Sequence, residues 1–376
     1  MTVLDRAPAH VKAIAPYQPG KPISDLAREL GLDEAGIVKL ASNENPLGVN
    51  EAALLAMTRA LSDVTRYPDG NGFELKAAIA AKFGVQPEQI VLGNGSNDVL
   101  ELAARALLTA DSSAVYAQHA FAVYPLVTQA TGARGIEVPA REFGHDLDAM
   151  LAAIAPDTRI VFVANPNNPT GTFIEGARLE RFIAAVPADV LVVLDEAYTD
   201  YLPRELRYDS VGWLARHPNL LVSRTLAKAY GLAGLRVGFG LAAAPVIDLM
   251  NRVRQPFNVN SVAQAGAVAV LDDPAFLQRS YEVNLAGMKQ LTEGLAALGL
   301  DWIPSFANFV TFRAGPAGEV FQRLLRSGVI VRPIASYGMP EYLRVSVGTH
   351  EENARFLQAL ALAIADLPGV PRRSAR

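Results

Sequence analysis

Three polar clusters carry the residues able to do chemistry: Asn165-Pro-Asn-Asn168-Pro-Thr-Gly171, Asp195-Glu-Ala-Tyr198 and Arg224-Thr-Leu-Ala-Lys228. Arg236 stands eight residues beyond the lysine. Taken singly, each has an ordinary reading. Asparagine, proline and glycine make turns, an acid ending a strand caps a helix, and a lysine in a loop is a solvated charge. Together they form a donor set suited to an aldehyde cofactor with a pyridine ring and a phosphate. Its aldehyde requires a primary amine, which Lys228 supplies. Its ring nitrogen must stay protonated to draw electrons, which the Asp195 carboxylate can enforce through a charge-assisted hydrogen bond. Its phenolate oxygen requires neutral donors, and Asn168 and Tyr198 offer them.

A phosphate needs backbone amides and a fixed positive charge. Gly93-Asn-Gly-Ser96-Asn97-Asp98 joins a strand to a helix, so its amides and the helix dipole can face an anion. Arg236 adds a permanent forked cation. A plain strand-to-helix turn capped by Asn97 or Asp98 accounts for the same loop. The ring also wants a planar side chain on its face. Phe121, in Ala120-Phe-Ala-Val-Tyr124 after the run Val115–Tyr116, can lie there, although an aromatic at such a place is ordinarily core.

These residues need a scaffold that brings strand ends together. From about Ile90 to Gly240, β-branched runs alternate with segments of helical period, as in a mostly parallel sheet flanked by helices. The expected strands are Ile90–Leu92, Ile160–Ala164, Val190–Leu194, Leu220–Ser223 and Val237–Gly240. The helical faces are Val99–Leu108 and Glu175–Val186. Ligands of such sheets bind outside the strands' carboxyl ends, where all three clusters fall. After Asn260 the pattern turns to helices (Ser261–Leu271, Phe276–Leu298), strands (Phe309–Arg313, Val329–Val331, Tyr342–Val347) and a closing helix (Glu351–Asp366). The expected division is therefore an α/β domain over 44–260 and a smaller α+β domain of 1–43 with 261–376. The tail Pro371–Arg376 is expected to fray.

The 376 residues, 51% hydrophobic and 19% charged, have globular composition. A net charge of −4, with no basic segment, argues against nucleic acid as a partner. Absent cysteines rule out disulfides, thiolate metal sites and a cysteine nucleophile, and the five scattered histidines fit no metal-ligand spacing. The first ten residues contain an acid and a proline but no apolar stretch, and no apolar run reaches the roughly 20 residues of a membrane span. The expected compartment is the cytoplasm.

The order Asn-Pro-Thr-Gly, Asp-x-x-Tyr, lysine, then arginine resembles the fold-type I pyridoxal-phosphate aminotransferase family, and within it the histidinol-phosphate aminotransferase branch. Carrying the resemblance are Pro16-Tyr17-Gln-Pro-Gly-Lys21, Leu40-Ala-Ser-Asn43-Glu-Asn45-Pro, Arg66-Tyr67-Pro, the Gly93–Ser96 loop, Leu232-Ala-Gly-Leu-Arg236-Val-Gly238 and Leu343-Arg344-Val-Ser-Val-Gly-Thr349. The resemblance implies pyridoxal 5′-phosphate as cofactor and a homodimer whose cofactor phosphates are each touched by Tyr67 from the other subunit. It also implies that Arg344 grips a substrate carboxylate while Tyr17, Asn43 and Arg332 line the substrate pocket. Two positions depart from the family's pattern. Ala227 stands where many members have a phosphate-binding serine, leaving Thr225 as a substitute hydroxyl, and Asn97 replaces a common acid.

The implied reaction moves an amino group from histidinol phosphate to 2-oxoglutarate, with Lys228 as general base and acid. Two look-alikes use nearly the same residues: aromatic-amino-acid aminotransferases and a phosphothreonine decarboxylase. A nicotinamide dehydrogenase is disfavoured, because no Gly-x-Gly-x-x-Gly opens a helix with an acid about 20 residues on.

Overall fold

The computed structural model describes residues 1–371. The expected fraying at the tail falls almost wholly beyond them, outside the described residues.

Seven strands form the central sheet, in the spatial order Ile90–Asn94, Val237–Ala242, Leu220–Thr225, Leu191–Asp195, Thr158–Ala164, Ser113–Ala117, Arg134–Val138. All run parallel except Val237–Ala242, which is antiparallel to both neighbours. The inner strands read as unbroken apolar runs such as Ile160-Val-Phe-Val-Ala164, because helices cover both faces of the sheet. Ser96–Leu107 buries Val99, Leu100 and Ala103, and Gly176–Ala185 buries Leu179, Phe182 and Ile183. The expected strands each extend by one or two residues at one end or shift by one. Arg134–Val138 escaped the sequence pattern because it is an edge strand in which only Val138 is buried.

A second sheet of four antiparallel strands has the order Arg332–Pro333, Tyr342–Ser346, Phe309–Arg313, Trp302–Ile303. Its core contains Phe312, Phe356, Leu360 and Leu291. The single expected strand Val329–Val331 is split. Val329–Ile330 pairs with Val38–Lys39 from the N-terminal segment, and Arg332–Pro333 pairs with Tyr342–Ser346 at the sheet edge, where proline's missing amide costs no ladder bond. Helix Ile23–Leu30 packs Leu26 and Ala27 on Leu325 and Ile330.

One helix links the cores. Pro274–Ala297, capped by Asp273, buries Phe276 in the larger core and Leu291 and Leu295 in the smaller one. Ser261–Leu271, grouped by sequence pattern with the smaller domain, contributes Ala263, Ala267, Val270 and Leu271 to the larger core. Its mostly small, apolar side chains let it lie close to the helix Glu51–Ala60, which a linear reading of periodicity does not show. No helix among the described residues is long and apolar enough to cross a membrane.

Candidate active site

Thirteen of the fourteen residues singled out from sequence line one cavity between the two sheets; Tyr67 is the exception. Parallel strands deliver three of them at their carboxyl ends: Asp195 closes Leu191–Asp195, Asn168 follows Thr158–Ala164, and Thr225 ends the strand before Lys228.

Asp195 is buried and accepts a hydrogen bond from the Tyr124 hydroxyl at 2.9 Å and from the Ala197 amide at 3.3 Å. Burial pushes its pKa up to about 6, against those two bonds. A buried carboxylate held this way favours a cationic neighbour. Lys228 is half-buried, with its ammonium 3.1 Å from the Ser42 carbonyl and 5.8 Å from the centre of the Tyr198 ring. Desolvation by the cavity wall, then the Arg344 charge, pulls its pKa down to about 8. A substantial fraction of the amine is then neutral and nucleophilic near neutral pH.

Tyr198 and Asn168 keep donors free for the cavity. The Tyr198 oxygen accepts from Asn43 Nδ2 at 2.9 Å, which leaves its own hydroxyl proton to donate. Burial raises its pKa to about 12, so it stays protonated. Asn168 turns its carbonyl oxygen to Arg344, which leaves its amide NH2 available. Asn43 adopts φ 55° and is fixed by Ser346, whose hydroxyl touches both its backbone amide (2.8 Å) and its side-chain oxygen (2.9 Å).

The phosphate-binding candidates converge on the N-terminus of helix Ser96–Leu107. Asp98 accepts from the Asn94 amide and from Asn258, so it serves the loop itself. Ser96 and Asn97 line the cavity. Gly95, at φ 84°, leaves room for Arg236, since a Cβ there would lie 2.3 Å from the guanidinium. Arg236 itself holds φ 60° and donates to the Ala233 carbonyl at 3.1 Å. Thr225 Oγ1 accepts from the Ala227 amide at 3.1 Å and makes only a long 3.5 Å contact to the Val237 carbonyl. Its proton can therefore turn toward an anion where Ala227 has no hydroxyl. Phe121 lies on the cavity wall, edge-on to Tyr124 at 6.0 Å.

Arg344 and Arg332 enter from adjacent strands of the small sheet, paired in register. Arg344 is buried; it donates to the Ala41 carbonyl at 2.9 Å, lies 5.1 Å from the Phe309 ring centre, and has an unpartnered Nε. Desolvation lowers its pKa, yet a guanidinium stays charged. No carboxylate pairs with it among the described residues. Arg332 donates to the Gln18 carbonyl at 2.7 Å and covers the Tyr17 ring.

The donor set thus fits pyridoxal phosphate: an amine with lowered pKa, a buried carboxylate, two spare neutral donors, and a glycine-lined helix start with a guanidinium. The matching family model, aminotransferase class I and II, spans residues 35–360. The chain belongs to this family. The aminotransferase is 66% identical over 356 residues to a curated histidinol-phosphate aminotransferase of Methylobacillus flagellatus, covering 95% of this chain and 96% of that one. It is 60% identical to histidinol-phosphate aminotransferase 2 of Pseudomonas aeruginosa, with 94% and 96% covered. A crystal structure of the Sinorhizobium meliloti histidinol-phosphate aminotransferase with pyridoxal-5′-phosphate superposes with a TM-score of 0.88 at 27% identity, over 96% of this chain and 98% of that one. Thermus thermophilus aspartate aminotransferase with maleate gives 0.80 at 26%, over 95% and 99%.

Sequence reasoning passed over Tyr124, which bonds Asp195 from behind the cavity, and Tyr337, which lines it. Tyr124 follows Phe121 by three residues, a spacing that puts both on one side of a helical turn, and it was legible only as half of an aromatic pair. Tyr337 sits in a one-turn helix with no periodic signal. Tyr67 lies outside the cavity, 83% exposed and stacked on Phe257 at 4.8 Å.

Proposed function

We propose that this aminotransferase exchanges an amino group between histidinol phosphate and 2-oxoglutarate. The observation that carries the reading is the buried Arg344 guanidinium without a carboxylate partner, beside Arg332 in the same cavity as Lys228. A buried cation lacking a counter-ion is costly, and an anionic substrate group offsets that cost. The donor's phosphate and the carboxylates of the oxo acid can meet this need in turn, through forked hydrogen bonds. Relatives at 60–66% identity bearing the histidinol-phosphate aminotransferase name support the substrate.

The cofactor is pyridoxal phosphate, which when bound supplies an aldehyde to take the amine and a ring to accept electron density. Lys228 would hold the aldehyde, Asp195 the ring nitrogen, and Asn168 and Tyr198 the phenolate oxygen. Ser96, Asn97, Thr225 and Arg236 would hold the phosphate, with Phe121 against the ring face. As a free amine, Lys228 would be positioned to take the proton from the donor's α-carbon and to act as general acid in the return step, a task suited to an amine titrating near 8. Tyr124 keeps Asp195 oriented. Arg344 and Arg332 orient the anionic end, and Tyr17, held by Arg332, closes the cavity from the N-terminal segment.

The active form we infer is a homodimer in which Tyr67 reaches the other subunit's phosphate. Supporting it are the exposed apolar side chains Leu54, Leu55, Leu61, Val64, Tyr67 and Phe73. Exposed apolar residues of this kind suit an interface between two copies. We also propose two folding units, 44–260 and 1–43 with 261–376, the helix 261–271 packing on the larger unit and Pro274–Ala297 joining the two.

The deciding experiment mixes the holoenzyme in turn with histidinol phosphate, phenylalanine and phosphothreonine and follows the cofactor absorbance. The expected result is fastest conversion by histidinol phosphate. Preference for phenylalanine would replace the substrate, and carbon dioxide release from phosphothreonine would replace the reaction.

A further inference from the structure

A second cavity, of about 680 Å³, opens on the outer side of the joint between the two sheets. None of the residues assigned above to cofactor or substrate lines it. Its walls are aromatic: Phe143, Phe173, Trp302, Phe306 and Tyr342. Phe143 meets Tyr342 edge-on at 5.6 Å, and Phe173 lies 5.2 Å from Phe306. The turn that carries Phe143 is strained, with Glu142 at φ 50° and Phe143 at φ 64°, and it is closed by reciprocal backbone bonds between Arg141 and Gly144. Non-glycine residues adopt such φ values at a cost that the surroundings must offset.

His145 lines this cavity at 6% exposure. Its Nε2 accepts the Ala164 amide at 3.3 Å, which assigns the ring proton to Nδ1. Burial drives its pKa down to about 4, so the ring is neutral at physiological pH. No acceptor for the Nδ1 proton is found among the described residues. Nδ1 is not among the fully buried unpartnered atoms, so it opens onto the cavity, where an arriving acceptor can take its hydrogen bond.

Around the same cavity are Arg141, Glu142, Arg178 and Asp301. The Arg141 guanidinium has no side-chain partner among the described residues, and Arg178 reaches Asp148 only at 3.9 Å. Arg141 without a side-chain partner, and Arg178 with only a long one, can both turn to an anion.

We propose that this cavity is a binding site for a small heteroaromatic carboxylate: the flat ring lies between the aromatic walls, a ring acceptor takes the His145 Nδ1 proton, and Arg141 and Arg178 take the carboxylate. The site is distinct from the transamination cavity yet shares a wall with it. Thr172, which lines the outer cavity, bonds through its hydroxyl to Thr170 at 3.1 Å and through its carbonyl to the Asn167 amide at 2.9 Å, next to Asn168. Tyr342 sits two residues before Arg344 on one strand.

Nicotinate is the probe, because it has a ring acceptor and a carboxylate on one flat ring. Trp302 fluorescence of the holoenzyme is expected to be quenched saturably at millimolar nicotinate or below. Benzoate, lacking the ring acceptor, and nicotinamide, lacking the charge, should each bind about tenfold more weakly or worse. The quench should persist with saturating amine donor, should vanish in Trp302→Phe, and should weaken at least tenfold in Arg141→Ala/Arg178→Ala, whose changes are on the surface and leave the core intact. His145→Phe should remove the preference for nicotinate over benzoate. Calorimetry on the same proteins gives a readout independent of the fluorophore. Absence of saturable binding, displacement of nicotinate by amine donor, or equal affinity in the arginine double variant would each overturn the assignment.

Discussion

The Tyr124 hydroxyl donates to the Asp195 carboxylate at 2.9 Å, and the Tyr124 ring is stacked flat on Phe162 at 4.8 Å. That bond opposes the burial that raises the Asp195 pKa. Tyr124→Phe keeps the stacking and removes the donor. Asp195 should then titrate above about 6, and cofactor affinity should fall about tenfold to a hundredfold, the range for losing a hydrogen bond to a charged group. Titrating apoenzyme with pyridoxal phosphate tests this; unchanged affinity would show that Tyr124 only fills space.

Lys228→Ala should abolish transamination and the absorbance of the lysine-bound cofactor. In the apoenzyme the neutral amine is the form that captures an aldehyde, and its pKa is lowered to about 8, so neutral amine predominates above that pH. The rate of recombination with cofactor should therefore rise with pH and level off past about 8. A midpoint near the ordinary lysine value, about 10.4, would contradict the desolvated environment.

Arg344→Lys retains a charge but loses the planar fork that reaches Ala41, Asn168 and a substrate anion. KM for the oxo acid and for the phosphorylated donor should both rise, with kcat/KM down roughly a hundredfold. Steady-state kinetics checks it, with circular dichroism to confirm folding. A fall in kcat alone, at unchanged KM, would place Arg344 outside the binding of the anion.

Mixing Tyr67→Phe subunits with Lys228→Ala subunits tests the shared site. In the mixed dimer one site carries both intact groups, so activity should exceed the mean of the two parent variants. Activity equal to that mean would confine Tyr67 to its own subunit.

His145 is held neutral by burial, with its pKa down at about 4. Below about pH 6.5 the unfolded chain binds a proton that the native chain refuses until about pH 4, so native stability falls as the pH falls across that window. Thermal melts of the wild type should lose more between pH 7 and 5 than those of His145→Gln, which keeps an acceptor for the Ala164 amide. Parallel melts in the two proteins would mean that His145 titrates in the native state.

By itself the sequence determined the reaction class and most of the scaffold. Lys228, Asp195, Asn168 and Arg236 are each tied to a strand end by a few residues of chain, so their spacing along the sequence already implies their grouping at one edge of the sheet. The strands are visible because parallel strands buried on both faces must be apolar throughout. Tertiary structure alone decided what each group can do. Tyr124 meets Asp195 across 71 residues, Asn43 meets Tyr198 across 155, and Arg344 meets Asn168 across 176. These contacts set which donors remain free, how far the Lys228 and Asp195 pKa values move, and that Arg344 lacks a counter-ion, because desolvation and hydrogen bonding depend on neighbours in space rather than along the chain. The packing of helix Ser261–Leu271 on the larger core and the cavity around His145 escaped the linear pattern for the same reason: what they pack against lies far away in sequence.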